Sequence, residues 1–150
     1  MKKLHYEIVI QAPRERVWKT MLEDATYREW TAPFNPGGSY YEGEWKEGSK
    51  MLFLGPGEDG KVGGMVSHIA KCTPCEFVSI EHMGQIDNGV EDTTSEKVKA
   101  WAGAHENYTF TEKDGGTLLA VDLDAVDEHL SYMEDIWPKA LTKLKKLVEG

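Results

Sequence analysis

Between residues 39 and 124 apolar and polar side chains alternate in short runs, and from 128 to 148 the period changes to that of one long amphipathic helix. This order limits the available folds more than any single motif does. Short strands joined by tight turns pair antiparallel, and a lone helix must bury its apolar stripe against the sheet they form. The strand candidates are 39–45, 49–54, 61–71, 76–84, 104–112 and 117–124. Lys46-Glu47-Gly48, Gly55-Pro56-Gly57-Glu58-Asp59-Gly60, Thr73-Pro74 and Lys113-Asp114-Gly115-Gly116 supply the turns between them. An earlier strand, 4–10, sets Leu4, Tyr6, Ile8 and Ile10 on one face.

Helical signals fall in two further places. Pro13 suits a first helical turn, where its missing N–H is not needed, and Val17, Trp18, Met21 and Leu22 follow as an apolar stripe. Asp24 is placed to cap a second short helix, 25–30, before Pro33, Pro36, Gly37 and Gly38 break the chain into a loop. Alternation stops between 86 and 102, where Asp87-Asn88-Gly89 reads as a turn and Ser95 as the cap of a short helix reaching Trp101. In the C-terminal helix, Leu130, Met133, Ile136, Trp137, Ala140, Leu141, Leu144, Leu147 and Val148 share one face. Pro138 lies inside that pattern, which predicts a kink or a restart near Ile136. The pair Gly63-Gly64 within a strand predicts a bend or bulge.

The expected architecture is α+β, one domain over residues 1–150. A curved antiparallel sheet of six to seven strands carries two short N-terminal helices and one long C-terminal helix. A helix of about 20 residues spans ~30 Å and cannot touch every inward side chain of such a sheet. A hollow between helix and sheet is therefore expected, and apolar hollows of this kind are frequent small-molecule sites.

Charge and apolar runs narrow the function. The 17 Lys and Arg against 26 Asp and Glu leave a net charge of −9, with no basic block to displace counterions from a phosphate backbone or to meet an anionic membrane. The longest apolar runs, 51–54 and 118–121, are strand-sized, far below the roughly 20 residues that cross a bilayer. Met1-Lys2-Lys3 leads into Leu4-His5-Tyr6-Glu7 and not into an apolar stretch, so no signal peptide and a cytoplasmic location are expected. Nucleic acid and membrane insertion are thus not expected.

Catalytic and metal motifs are weak. His5, His68, His82, His105 and His129 show no metal-ligand spacing, and their plain reading is surface or hydrogen-bonded histidine, with no metal or cofactor expected. Cys72-Thr73-Pro74-Cys75 falls at a strand–strand turn, outside the strand–helix setting that activates a redox pair. Aromatic residues carry more. Trp30, Trp101, Tyr108, Met133 and Trp137 lie on the elements that would frame the hollow, while His68 and Glu106 are the polar groups nearest to it in pattern. Alternation with Tyr108 and Phe110 turns Glu106 inward, where a carboxyl group can serve as acid or base.

Several segments resemble a known superfamily. Ala12-Pro13-Arg14-Glu15-Arg16-Val17-Trp18 resembles the opening of the first helix in START-like (SRPBCC, Bet v-type helix-grip) proteins. Trp30 with Pro33 and Gly37-Gly38, His82-Met83-Gly84, Trp101 before Glu106-Asn107-Tyr108-Thr109, Gly116-Thr117-Leu118, and Trp137 with Leu141 and Leu144 resemble the bacterial branch named after the activator of the heat-shock protein 90 ATPase. The resemblance implies a helix-grip fold with a deep apolar cavity. It also implies a small hydrophobic ligand, lipid- or polyketide-like, as partner. Some relatives act on such ligands as cyclases or dehydratases, which would cast Glu106 or His68 as acid–base. The eukaryotic co-chaperones of this branch carry an additional N-terminal domain for which 150 residues leave no room, which weighs against chaperone contact.

Overall fold

Strand β1 (Lys2–Ile10) opens the chain and pairs antiparallel with the last strand along its whole length, from Lys2 opposite Ala125 to Ile10 opposite Thr117. The computed structural model describes residues 1–35, 38–57 and 59–150. Helices α1 (Arg14–Leu22) and α2 (Asp24–Trp30) follow. Strands β2 (Tyr40–Glu42), β3 (Lys50–Pro56), β4 (Val62–Thr73), β5 (Phe77–Asp87) and β6 (Val90–Asp92) come next. Helix α3 (Glu96–Lys99), strands β7 (Ala104–Lys113) and β8 (Gly116–Ala125), a 3-10 turn at Asp127–His129 and helix α4 (Leu130–Glu149) complete the order.

The strands form one curved antiparallel sheet in the order β1-β8-β7-β5-β4-β3-β2, with β6 added beside β5. The α+β reading therefore holds, with one strand more than expected. β6 is short and polar, Val90-Glu91-Asp92, and pairs only with the end of β5. Ser95 caps α3 as anticipated, its Oγ accepting from the Val98 N–H at 3.3 Å, although the helix ends at Lys99 and turns carry the chain on. Asp24 does not cap α2. Its carboxylate binds Arg28 one turn along, and the cap position belongs to Glu23. Of the expected loop at Pro33–Gly38 and the turn at 55–60, Pro36, Gly37 and Glu58 lie outside the described residues.

Two irregularities set which side chains face inward. β4 and β5 lose register at Val66/Ser67 and again at Ile69/Lys71, so Met83 on β5 and Ala70 on β4 are each an extra residue. Before Met83 the inward residues of β5 are Val78, Ile80 and His82; after it the parity changes, and Gln85 turns in while Ile86 turns out. The expected bulge at Gly63-Gly64 thus falls a few residues later. Gly64 instead permits a close approach between strands. Its φ is +149°, and a Cβ there would run into the Phe53 carbonyl of the adjoining strand.

Helix α4 runs unbroken through Pro138, so the expected restart is absent. Glu134, whose carbonyl would have accepted the missing N–H, lies on the exposed face of the helix. The opposite face buries Trp137, Ala140, Leu141, Leu144 and Val148 in a core with Ile10, Val17, Met21, Phe110 and Leu119. That packed core occupies the end of the sheet nearest α1. Toward the N-terminal half of α4 the packing opens.

Candidate functional site

The opening is a cavity of about 790 Å³ between the inner sheet face and the first half of α4. Its sheet wall is built from Phe53 and Met65 on β3 and β4, His82 and Gln85 on β5, Glu106 on β7 and Leu123 on β8. Tyr27 of α2 and Phe34 close one side, Ala100 and Trp101 after α3 another, and Met133 and Trp137 of α4 form the roof. Lys97, Glu128 and His129 also belong to the lining and are exposed. Tyr132 donates a hydrogen bond from its hydroxyl to the Phe34 carbonyl at 2.7 Å, tying α4 to the turn after α2.

Aromatic rings set the cavity's apolar shape. Trp137 sits at the centre of a cluster, its ring 5.0 Å from Phe34, 6.2 Å from Trp30 and 6.3 Å from both Tyr6 and Tyr108. Phe53 meets the His82 ring edge-on at 6.2 Å and Tyr27 at 6.3 Å. Offset and edge-on contacts of this kind hold the rings in place and leave little freedom for collapse into the hollow.

One polar chain crosses this wall. Ser67 Oγ lies 2.7 Å from His82 Nδ1, and His82 Nε2 lies 3.1 Å from Glu106 Oε1. The Tyr108 hydroxyl donates to Glu106 Oε2. A carboxylate only accepts, so Nε2 carries the hydrogen of the His82–Glu106 bond, and in the neutral imidazole Nδ1 accepts from the Ser67 hydroxyl. Burial, then the Glu106 charge, pushes the hydroxyls of Tyr27 and Tyr108 well above the usual phenol range, so both keep their protons. Strand parity explains the grouping. Ser67 opposes His82, while Ile80 and Leu123 oppose Glu106 on either side, and all five face inward.

Of the seven residues chosen from the sequence, Trp101, Glu106, Met133 and Trp137 line the cavity. Trp30 and Tyr108 stand one layer behind it. Trp30 is 1% exposed and its indole N–H donates to the Met21 carbonyl at 2.8 Å, while Tyr108 is 2% exposed and holds Glu106. His68 is placed otherwise than expected. It opposes Glu81, one residue along from the inward Ser67, and its Nε2 pairs with Glu81 Oε1 at 3.1 Å on the outer face. His82 takes the inward place expected for His68. Tyr27, Phe53, Met65 and Gln85 were not anticipated; the parity change at Met83 hides Gln85, but the alternation Val78, Ile80, His82 signals His82 directly. Cys72 and Cys75 are free thiols at the β4–β5 turn, the first held up in pKa by burial and by Glu47. Among the described residues no helix is long and apolar enough to cross a membrane.

Residues 11–149 match the family described as "Activator of Hsp90 ATPase homolog 1-like protein". No curated protein matches the chain in sequence. Among solved structures, NE0264 from Nitrosomonas europaea superposes with a TM-score of 0.76 at 12% identity, covering 98% of this chain and 94% of that one. The Aha1 dimer from Colwellia psychrerythraea gives a TM-score of 0.73 at 17% identity, with 99% and 97% covered. MLL2253 from Mesorhizobium loti gives 0.72 at 16%, again with 99% and 97% covered. At these identities the likeness is one of fold.

Proposed function

The chain belongs to the family of activator of Hsp90 ATPase homolog 1-like proteins, and on that basis we propose that its cavity binds a small hydrophobic molecule, lipid- or polyketide-like, without turnover. The observation that carries this is the 790 Å³ hollow itself, walled by Tyr27, Phe53, Leu123, Met133 and Trp137. Pockets of roughly 300–1,000 Å³ with apolar walls and a few polar groups are the usual form of small-molecule sites. The helix-grip fold commonly serves hydrophobic ligands, which supports the same reading.

The test is a thermal-shift screen of lipophilic compounds, paired with native mass spectrometry of freshly purified protein. A ligand at a hundred times its Kd stabilises by about 2.7 kcal/mol, which for a chain of this length raises Tm by several degrees. Met133→Trp, which fills the roof of the hollow, should abolish the shifts while the variant still unfolds cooperatively. No shift for any compound, with no co-purified mass, would overturn the reading.

A second reading, turnover of that ligand by a cyclase- or dehydratase-like reaction, is favoured by the His82–Glu106 pair inside the cavity. Such reactions need a group that takes or gives a proton within hydrogen-bond reach. Glu106→Gln would then stop turnover of a bound ligand while an apolar ligand still binds. Turnover that survives the substitution removes the role.

A further inference from the structure

The polar chain in the wall has a direction. With the His82 ring neutral, Ser67 donates its hydrogen to Nδ1 and Nε2 gives its hydrogen to Glu106, while Tyr108 directs its hydroxyl hydrogen to the other Glu106 oxygen. Every donor of the set points toward one carboxylate. A carboxylate offers about four lone-pair positions, and these bonds fill two of them. Ser67 is 1% exposed and Tyr108 2%, so neither reaches the ligand space, whereas Glu106 keeps 23% of its side chain open and lines the cavity. Glu106 thus presents a negatively charged acceptor to the ligand space, beside His82 and Gln85 on the same wall and among Ile80, Leu123 and the rings of Tyr27 and Phe53.

Resting on the cavity reading above, we propose that the ligand is an amphiphile whose inner end carries a hydrogen-bond donor, a hydroxyl or a protonated amine, held by Glu106. Its apolar body lies against Phe53, Trp101, Met133 and Trp137. An anionic head is rejected, because two carboxylates in a water-poor site repel and neither can donate to the other. Lys97, the lysine among the lining residues, is exposed on α3 and acts on Asp92, while the partners of Glu106 are His82 and Tyr108.

Head groups on a constant chain test this: dodecane, dodecan-1-ol, dodecylamine and dodecanoate, each competing with an apolar fluorescent dye for the native protein. The alcohol should displace the dye at concentrations at least tenfold below those of dodecanoate, as a charge-assisted hydrogen bond allows. In Glu106→Gln, with its cooperative unfolding checked first, that tenfold preference should disappear. The amine distinguishes the two kinds of donor: tighter binding than the alcohol, lost in Glu106→Gln, shows that Glu106 selects a cation, and equal binding shows that any donor suffices. If dodecanoate binds as well as the alcohol, or the preference survives Glu106→Gln, the head-group inference falls and the cavity reading stands. If none of the four displaces the dye, both fall together.

Discussion

Trp30 shows how one side chain holds two elements in register. Its indole N–H donates to the Met21 carbonyl at the end of α1, and its ring meets Tyr27 and Trp137. Trp30→Phe keeps a ring but leaves that buried carbonyl without its donor, at about 1–3 kcal/mol, and adds a small cavity. Urea unfolding should show a loss of about 2–4 kcal/mol, while dye binding in the cavity changes less than twofold because Trp30 does not line it. A loss under about 1 kcal/mol would mean that the indole bond is not what anchors α1 to α2. At this scale the sequence is legible where alternation is clean. Glu106, Tyr108 and Phe110 share a parity that puts all three inside. It is ambiguous for His68, because both faces of β4 carry apolar residues: Val66 packs outward with Leu54 and Ile86, while Ile69 packs inward. It is illegible for Gln85, because a bulge at Met83 reverses the parity and nothing in the local pattern announces it.

Elements were readable where the period is long and the turn chemistry strong, and α4 is the clearest case. Its one departure is informative. A proline inside a helix costs about 3 kcal/mol relative to alanine, yet α4 continues from Leu130 to Glu149. The buried stripe explains why. Trp137 and Leu141 flank Pro138 and are 3% exposed, so tertiary packing holds the backbone that propensity alone would release. Thr142 also donates from Oγ1 to the Pro138 carbonyl at 2.9 Å, giving that group a second partner. Pro138→Ala restores the bond to Glu134 and gives up the chain stiffening that proline lends the unfolded state, about 0.4–1 kcal/mol. The net expectation is a gain of about 2 kcal/mol, read as a Tm several degrees higher by calorimetry. An unchanged or lower Tm would show that the fixed φ of Pro138 matters more to the fold than the restored bond. β6 marks the opposite limit, since three residues with one apolar side chain carry too little periodicity to be seen.

Across the whole molecule the two halves of α4 have different roles, and this is visible only when helix and sheet are seen together. The C-terminal half lies on the packed end, where Leu144 and Val148 are fully buried with Ile10, Val17 and Leu119. The N-terminal half roofs the cavity with Met133 and Trp137. Hydrophobic stripes look alike in sequence whether they meet a solid core or a hollow, so the division could be expected from the helix's length but not located. It predicts that stability and binding separate along one helix. Leu144→Ala removes contacts on every side of a filled site and should cost about 3–5 kcal/mol, a large share of the roughly 5–15 kcal/mol typical of a folded domain. Met133→Ala, about three turns earlier, trims atoms that already face open space, so few dispersion contacts are lost and the cost should stay near about 1 kcal/mol. Dye affinity should respond in the reverse order, falling severalfold for Met133→Ala and remaining unchanged for Leu144→Ala under conditions where that variant is still folded. If the two substitutions cost the same in urea, the roof is as tightly packed as the core, and the cavity closes in solution around its own side chains.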